Sequence, residues 1–267
     1  MRLVVVGSAG SFPGPDSAAS CYLLQADGPD GAGGTRTWNL LLDLGNGALG
    51  PLQRHVAPAS LDAVAVSHLH ADHVADVVVL GVMLRYDPRG LRAEPLPLHG
   101  PEGVAERLAQ LSGHDPATAT TEHLALGTWQ AGRPVRVGPF TIEPVPVEHP
   151  VPAFGFRVTG PSSVDPGRTV TLSYTGDTDE CAGLDELARD ADLLLAEAAY
   201  LETTPGAPRG VHLTGLRAGR AARRGRSRRL LLTHLVAWND PSASLAEAAA
   251  EFDGPLDLAR PGMVVDL

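Results

Sequence analysis

The chain has 267 residues, 43% hydrophobic and 19% charged, with a formal net charge of -10 at pH 7. These values fit a folded protein with a sizeable core, and they argue against disorder and against a general nucleic-acid binder. All 21 basic residues are arginine, so Schiff-base lysine chemistry and Walker-type phosphate loops are excluded.

Taken in chain order, Leu3–Val6 reads as a first strand. This apolar run is too short for a signal-peptide core. No stretch approaches the roughly 18–20 apolar residues of a membrane span, so a cytoplasmic protein without membrane contact is expected. Gly7–Ser20 reads as a loop, and Cys21–Gln25 and Asn39–Asp43 as strands flanking the glycine-rich turn Gly28–Gly34. Ala63–Ser67 is a short buried strand. Asp72–Leu84 follows with apolar residues at helical spacing (Val74, Val77, Val78, Leu84). Pro101–Leu111 and Gly183–Arg189 read as helices. Pro134–Val137, Thr141–Val147, Phe154–Val158, Val170–Tyr174 and Leu193–Ala196 read as strands. Thr214–Arg224 is a helix, Leu230–Thr233 a strand and Ser242–Phe252 a helix. Strands followed by helices thus occur twice, with no sequence repeat, heptad or linker, which predicts one domain over residues 1–267, built of stacked sheets with helices outside. Cys21 and Cys181 lie in no CxxC pair and read as reduced, structural thiols.

The informative segment is Ser67-His68-Leu69-His70-Ala71-Asp72-His73. On an extended backbone His68 and His70 point to one side, because side chains alternate. The turn into the following helix returns Asp72 and His73 to the same space. Imidazoles with one carboxylate suit zinc or another borderline divalent ion.

This HxHxDH pattern resembles the metallo-β-lactamase-fold hydrolases, and further landmarks of that family occur in order: Asp43-Leu44-Gly45, His149 in Val147-Glu148-His149-Pro150, Asp177 in Thr175-Gly176-Asp177-Thr178, and His234 after Leu231-Leu232-Thr233. The resemblance implies an α/β fold, an αββα sandwich of two mixed β-sheets flanked by helices. It also implies two divalent metal ions, zinc first and manganese as the option. One ion would take His68, His70 and His149, the other Asp72, His73 and His234, with Asp177 bridging. Asp43 would then support a ligand or a turn rather than bind metal.

Two further features resemble the ribonuclease-Z-like branch: Val211-His212-Leu213-Thr214 and Leu195-Ala196-Glu197-Ala198. There an extra histidine beside an acidic residue assists phosphodiester cleavage, which makes His212 and Glu197 catalytic candidates together with Asp72. The implied reaction is attack on phosphorus by a hydroxide held between the two ions. Gly10-Ser11, Gly14-Pro15-Asp16-Ser17, His212-Leu213-Thr214-Gly215 and Ala250-Glu251-Phe252-Asp253-Gly254-Pro255 are similar to actinobacterial atypical cyclic-nucleotide phosphodiesterases.

The expected partner is therefore a small phosphodiester such as cyclic AMP. The alternatives are a tRNA 3′-end endoribonuclease acting on RNA and a non-catalytic scaffold. No long arm is visible between His73 and His149, and Leu235-Val236-Ala237-Trp238 stands where the tRNA enzymes tend to carry Ser-x-Arg-Tyr. Both features weigh against tRNA processing. Seven arginines lie between Arg217 and Arg229, with Arg217, Arg220 and Arg224 on one helical face, which reads as solvated surface. His55, His99, His114 and His123 fall outside every motif and read as loop or surface residues. A homodimer is left open.

Overall fold

The computed structural model describes residues 1–88, 92, 94–115, 123–204 and 208–267. Its strands are β1 (Arg2–Ala9), β2 (Ala18–Ala19), β3 (Cys21–Pro29), β4 (Thr35–Leu42), β5 (Ala63–Ala65), β6 (Leu96–Gly100), β7 (Leu124–Thr128), β8 (Val135–Val137), β9 (Phe140–Pro146), β10 (Phe154–Pro161), β11 (Thr169–Tyr174), β12 (Leu193–Glu197), β13 (Leu230–Thr233), β14 (Leu256–Leu258) and β15 (Val264–Asp266). The helices are α1 (Leu49–Leu52), α2 (Ala71–Tyr86), α3 (Val104–Leu111), α4 (Ala182–Ala188), α5 (Gly215–Gly225) and α6 (Pro241–Ala249).

Among the described residues the strands form two mixed sheets, ordered β15-β1-β3-β4-β5-β6-β7 with β2 on β1, and β14-β13-β12-β11-β10-β9-β8. Each begins with antiparallel neighbours and continues with parallel ones: β4, β5, β6 and β7 in the first, β11, β12, β13 and β14 in the second. Parallel strands need crossovers on a sheet face, so each half acquires helices on its outer side.

Side-chain alternation then splits each apolar run between two interiors. Leu3, Val5, Leu40, Leu42, Leu193, Leu195 and Leu231 join Phe140, Phe156 and Tyr174 between the sheets. Val4, Val6, Leu41, Val64 and Val66 pack outward with Val74, Val77 and Leu80 of α2. Leu194, Leu230 and Leu232 pack outward with Ala218, Ala221 and Ala222 of α5. Burial on both faces is why these strands read as near-continuous hydrophobic runs.

Several elements differ from the sequence reading. Strands β6 and β7 were not expected, because Leu96-Pro97-Leu98-His99-Gly100 and Leu124-Ala125-Leu126-Gly127-Thr128 carry proline or glycine. His99 accordingly lies in a strand, its ring 5.0 Å from that of Trp129, rather than in a loop. His55 and His114 are exposed, and His123 is half-buried. The Gly7–Ser20 segment is partly strand, since Gly7 and Ala9 pair with Ala18 and Ala19. β14 and β15, of three residues each, are too short for periodicity to register. On α2, Val78 and Leu84 are half-buried, and the fully buried large apolar positions are Val74, Val77 and Leu80. Cys21 and Cys181 are both free; Cys181 caps α4 by accepting a hydrogen bond from the Leu184 amide.

Candidate metal centre

The candidate residues sit where strands end. Asp43 follows β4, Ser67 and His68 follow β5, His149 follows β9, Asp177 follows β11, Glu197 closes β12 and His234 follows β13. Chain ends leaving parallel strands at one edge form a crevice, the usual place for a site in α/β folds. Of the non-glycine residues at positive φ, Ser11 (62°), Asp43 (56°) and His234 (54°) all belong to this edge. Such backbone persists where the surroundings over-determine it. The first turn of α2 is pressed against the Asp43 turn: a Cβ on Gly45 would lie 1.9 Å from the Asp72 carbonyl oxygen.

Two groups of ligating atoms converge here, each spanning no more than 4.8 Å: His68, His70, His149 and Asp177, and Asp72, His73, Asp177 and His234. Asp177 belongs to both. Its Oδ1 lies 3.2 Å from His73 Nε2, and its Oδ2 lies 3.6 Å from His68 Nε2 and 3.3 Å from His234 Nε2.

The hydrogen bonds behind the ligands fix which ring nitrogen is bare. Ser67 Oγ gives its one proton to Asp43 Oδ2 at 2.8 Å, so it accepts from His68 Nδ1 at 3.1 Å. His73 Nδ1 donates to Asp43 Oδ2 at 2.7 Å, and His149 Nδ1 donates to the Val211 carbonyl at 2.9 Å. In the neutral form of all three rings Nε2 keeps its lone pair. His68 Nε2 and His149 Nε2 then face His70 Nδ1 at 3.1 and 3.2 Å. A proton on His70 Nδ1 can serve only one of these two nitrogens well, and a cation among the three rings would satisfy all of their lone pairs. His73 Nε2 and Asp177 Oδ1 are buried and face each other at 3.2 Å without hydrogen-bond geometry, an unusual state for buried polar atoms. The donor set and its bare atoms therefore fit divalent metal ions.

Burial holds His68, His70 and His149 below the ordinary imidazole range, neutral and ready to ligate. Burial works against the ionised form of Asp177 too, but His234, His73 and His68 outweigh it and keep the carboxyl well below its usual range. Burial likewise opposes charge on His73, where Asp177 and Asp43 prevail and raise the ring. A proton on that ring competes with a metal ion, so metal uptake releases it.

His212 stands beside both groups. Its Nδ1 lies 2.9 Å from Glu197 Oε1, and its ring is stacked on His234 at 5.3 Å. Glu197 is fully buried and also accepts from the Thr178 amide at 2.9 Å and the Ala199 amide at 3.1 Å. Burial disfavours charge on His212, yet the Glu197 carboxylate with its hydrogen bond, and Asp177, push it up to about 9. Glu197, His212 and His234 form a third ligand-like group, which reuses His234.

Arg217 departs from the sequence reading. It is 3% exposed, not solvated, and its guanidinium meets Asp179 Oδ1 at 2.8 Å and Glu202 Oε2 at 2.9 Å. Asp179 Oδ2 also accepts from the Gly210 amide at 2.8 Å. The network anchors the segment holding His212 to the one holding Asp177. Five of the other six arginines of the run lie toward solvent and are paired with carboxylates, Arg220 and Arg223 with Glu251, Arg224 with Asp185, Arg226 with Asp190 and Arg228 with Asp192, while Arg229 donates to the Asp266 carbonyl. The sequence reading missed these acidic partners, which are distant in the chain.

The family model described as beta-lactamase superfamily domain matches residues 38–235. The chain belongs to the metallo-β-lactamase superfamily. It is a metallo-hydrolase by that membership. It is 41% identical to an uncharacterized protein of Mycobacterium leprae, over 100% of this chain and 89% of the relative. The probable metallo-hydrolase YhfI of Bacillus subtilis is 31% identical over 99% of each chain. The crystal structure of YhfI superimposes with a TM-score of 0.82 at 29% identity, covering 100% of this chain and 99% of that one. Ribonuclease Z of Myxococcus xanthus is 29% identical, over 85% of this chain and 88% of the relative. No helix among the described residues is long and apolar enough to cross a membrane.

Asp43 generates a direct test. Asp43→Asn leaves one acceptor oxygen where four donors converge, so a donor is set against either the Ser67 amide or the group of Ser67 Oγ, His73 Nδ1 and Tyr174, and the His73 ring is held less firmly. Divalent-metal affinity is expected to fall by about 10–100-fold, the usual cost of removing a group that orients a ligand. Competition titration with a chromophoric chelator reads this, and an affinity unchanged from wild type would sink the tautomer argument.

Proposed function

We propose that the chain is a binuclear metal-dependent phosphodiesterase that hydrolyses cyclic nucleotides, acting as one domain over residues 1–267. Ligands His68, His70 and His149 would hold one ion, Asp72, His73 and His234 the other, with Asp177 shared. Zinc suits these imidazoles and carboxylates, and manganese is the alternative. Bound divalent ions would supply an activated water and neutralise charge on the phosphoryl oxygens.

The observation that carries the phosphodiester reading is the Glu197–His212 pair. A ribose alkoxide is a poor leaving group unless it receives a proton. Glu197 holds His212 in one tautomer through Nδ1, leaving Nε2 as the nitrogen that can hand a proton to the departing oxygen. The buried carboxylate keeps that proton on the ring. A thioester, whose thiolate departs without a proton, would need no such acid.

The 29% identity to a ribonuclease Z favours RNA as a second reading. Local pairing of the Arg220–Arg228 guanidiniums with Glu251, Asp185, Asp190 and Asp192 removes most of the positive field a phosphate backbone would need. Side-by-side assays of cyclic AMP and a precursor tRNA with a 3′ trailer, at matched metal and salt, decide between the two. Higher kcat/KM on cyclic AMP is expected, and the reverse ranking overturns the proposal.

Two divalent ions per chain are expected in solution titration. Asp177→Ala should cost more bound metal than His68→Ala, because the carboxylate serves both positions. Equal losses in elemental analysis would remove Asp177 from its shared role.

His212→Ala should keep both ions and slow cyclic AMP hydrolysis by roughly 10²–10⁴-fold. On bis(p-nitrophenyl) phosphate, whose phenolate leaves without a proton, the loss should be much smaller. Equal losses would mean that His212 positions the phosphate, and lost metal would mean that it is a ligand.

A further inference from the structure

Large aromatic side chains are scarce in this chain: three tryptophans, four tyrosines and five phenylalanines. Trp129, Phe140, Phe156, Tyr22 and Tyr174 are buried. Trp238 is 74% exposed, yet it is not solitary, because its ring lies 4.9 Å from that of Phe12 at 43°. Isolated exposed hydrophobics need no explanation, but an exposed tryptophan set against a half-buried phenylalanine beside a site does.

The position of the pair is set by its neighbours. Ala9 and Leu235 form a parallel bridge, Gly10 donates to the Leu235 carbonyl at 3.1 Å, and Leu235 donates to the Ser8 carbonyl at 3.1 Å. The loop after β1 therefore runs alongside the segment after His234. The Ser11 amide lies 3.4 Å from His234 Nε2, and Phe12 is the next residue, about 3.8 Å further along the chain. This close approach requires Gly10, where a Cβ would sit 2.7 Å from His234 Nδ1. Trp238 is carried on a turn closed by the Asn239 amide and the Val236 carbonyl at 2.9 Å. Asn239 Nδ2 staples that turn to the Ala199 carbonyl at 2.8 Å. Tyr200, the next residue, sets its ring edge-on to His212 at 5.0 Å. The aromatic pair is thus fixed beside the His234 side of the centre, with His212 and Tyr200 beyond.

We propose that Phe12 and Trp238 form a platform on which the planar base of a nucleotide stacks while its phosphodiester lies over the metal-ligand cluster. This rests on the phosphodiesterase reading and specifies how that site recognises its substrate. Stacking on an aromatic face requires no charge and little hydrogen-bond readout, so it tolerates any base.

The test uses the metal-loaded protein with cyclic AMP and with a ribose 3′,5′-cyclic phosphate lacking the base. In Trp238→Ala the ratio of kcat/KM for cyclic AMP to that for the base-free compound should fall by about 5–150-fold, mainly through KM. Trp238→Phe should recover most of that ratio. A second readout is independent of turnover. Adenosine 5′-monophosphate should quench the tryptophan fluorescence of the wild type, and the quench should vanish in Trp238→Phe. If wild type cleaves neither compound, the phosphodiesterase reading fails and the quench alone decides the platform. An unchanged ratio in Trp238→Ala, or a quench that survives in Trp238→Phe, overturns the platform even if cyclic AMP is a good substrate.

Discussion

Four hydrogen bonds converge on the buried carboxylate of Asp43, from the Ser67 amide and hydroxyl, His73 Nδ1 and the Tyr174 hydroxyl. These donors come from the end of β5, the first turn of α2 and the end of β11. One side chain therefore ties together both sheets and the helix that carries two candidate ligands. Tyr22 makes the reciprocal link, reaching from the first sheet to Thr233 Oγ1 at 2.7 Å, next to His234. The two tyrosine rings lie 5.0 Å apart between the sheets. Burial pushes both phenols up, so they remain hydrogen-bond donors at any physiological pH. The centre is thus mounted on crossed polar links within an otherwise apolar interior. Such links orient groups best when the atoms that make them are satisfied, as all four donors to Asp43 are here.

That mounting explains why the candidate site was so legible in the sequence. His68, His70, Asp72 and His73 are contiguous, and Asp177 and His234 each follow a short apolar run, so strand ends alone bring the groups toward one edge. The layered architecture was legible for a related reason: runs such as Leu40-Leu41-Leu42 and Leu193-Leu194-Leu195 are buried on both faces. Elements that escaped notice lack that signature. β6 and β7 interrupt their apolar residues with proline, histidine and glycine, and β15 is recognisable only by its pairing with β1. Arg217 escaped for another reason. Helical spacing placed it beside Arg220 and Arg224 but carried no information about Asp179 and Glu202, which reach it from other elements.

The arginines and the metal-ligand groups handle charge in opposite ways. Along α5 and the following turn, each paired guanidinium meets a carboxylate, and the surface is locally balanced. In the centre, Asp72 and Asp177 stand among imidazoles of which His68, His70 and His149 are kept neutral. Without cations that region concentrates negative charge and bare lone pairs, an arrangement that favours binding divalent ions over folding for its own sake. A buried cluster of this kind is a stability liability, and the strained backbone at Asp43 and His234 adds to it.

The same balance of charge constrains what a substrate can touch. In a chain of net charge -10 with no lysine, and with most of its clustered arginines already paired, attraction for an anionic phosphodiester has to come chiefly from the metal ions. Recognition of the remainder of such a molecule then falls to groups that carry no charge. At the rim of the centre those groups are Phe12, Trp238 and Tyr200, joined through the Asn239–Ala199 hydrogen bond. On the proposed phosphodiesterase reading, such a site would hold its substrate by the phosphate and meet the rest through these aromatic side chains. That division of labour would suit a small cyclic phosphodiester better than a long polyanion, whose further phosphates would approach a chain of net charge -10.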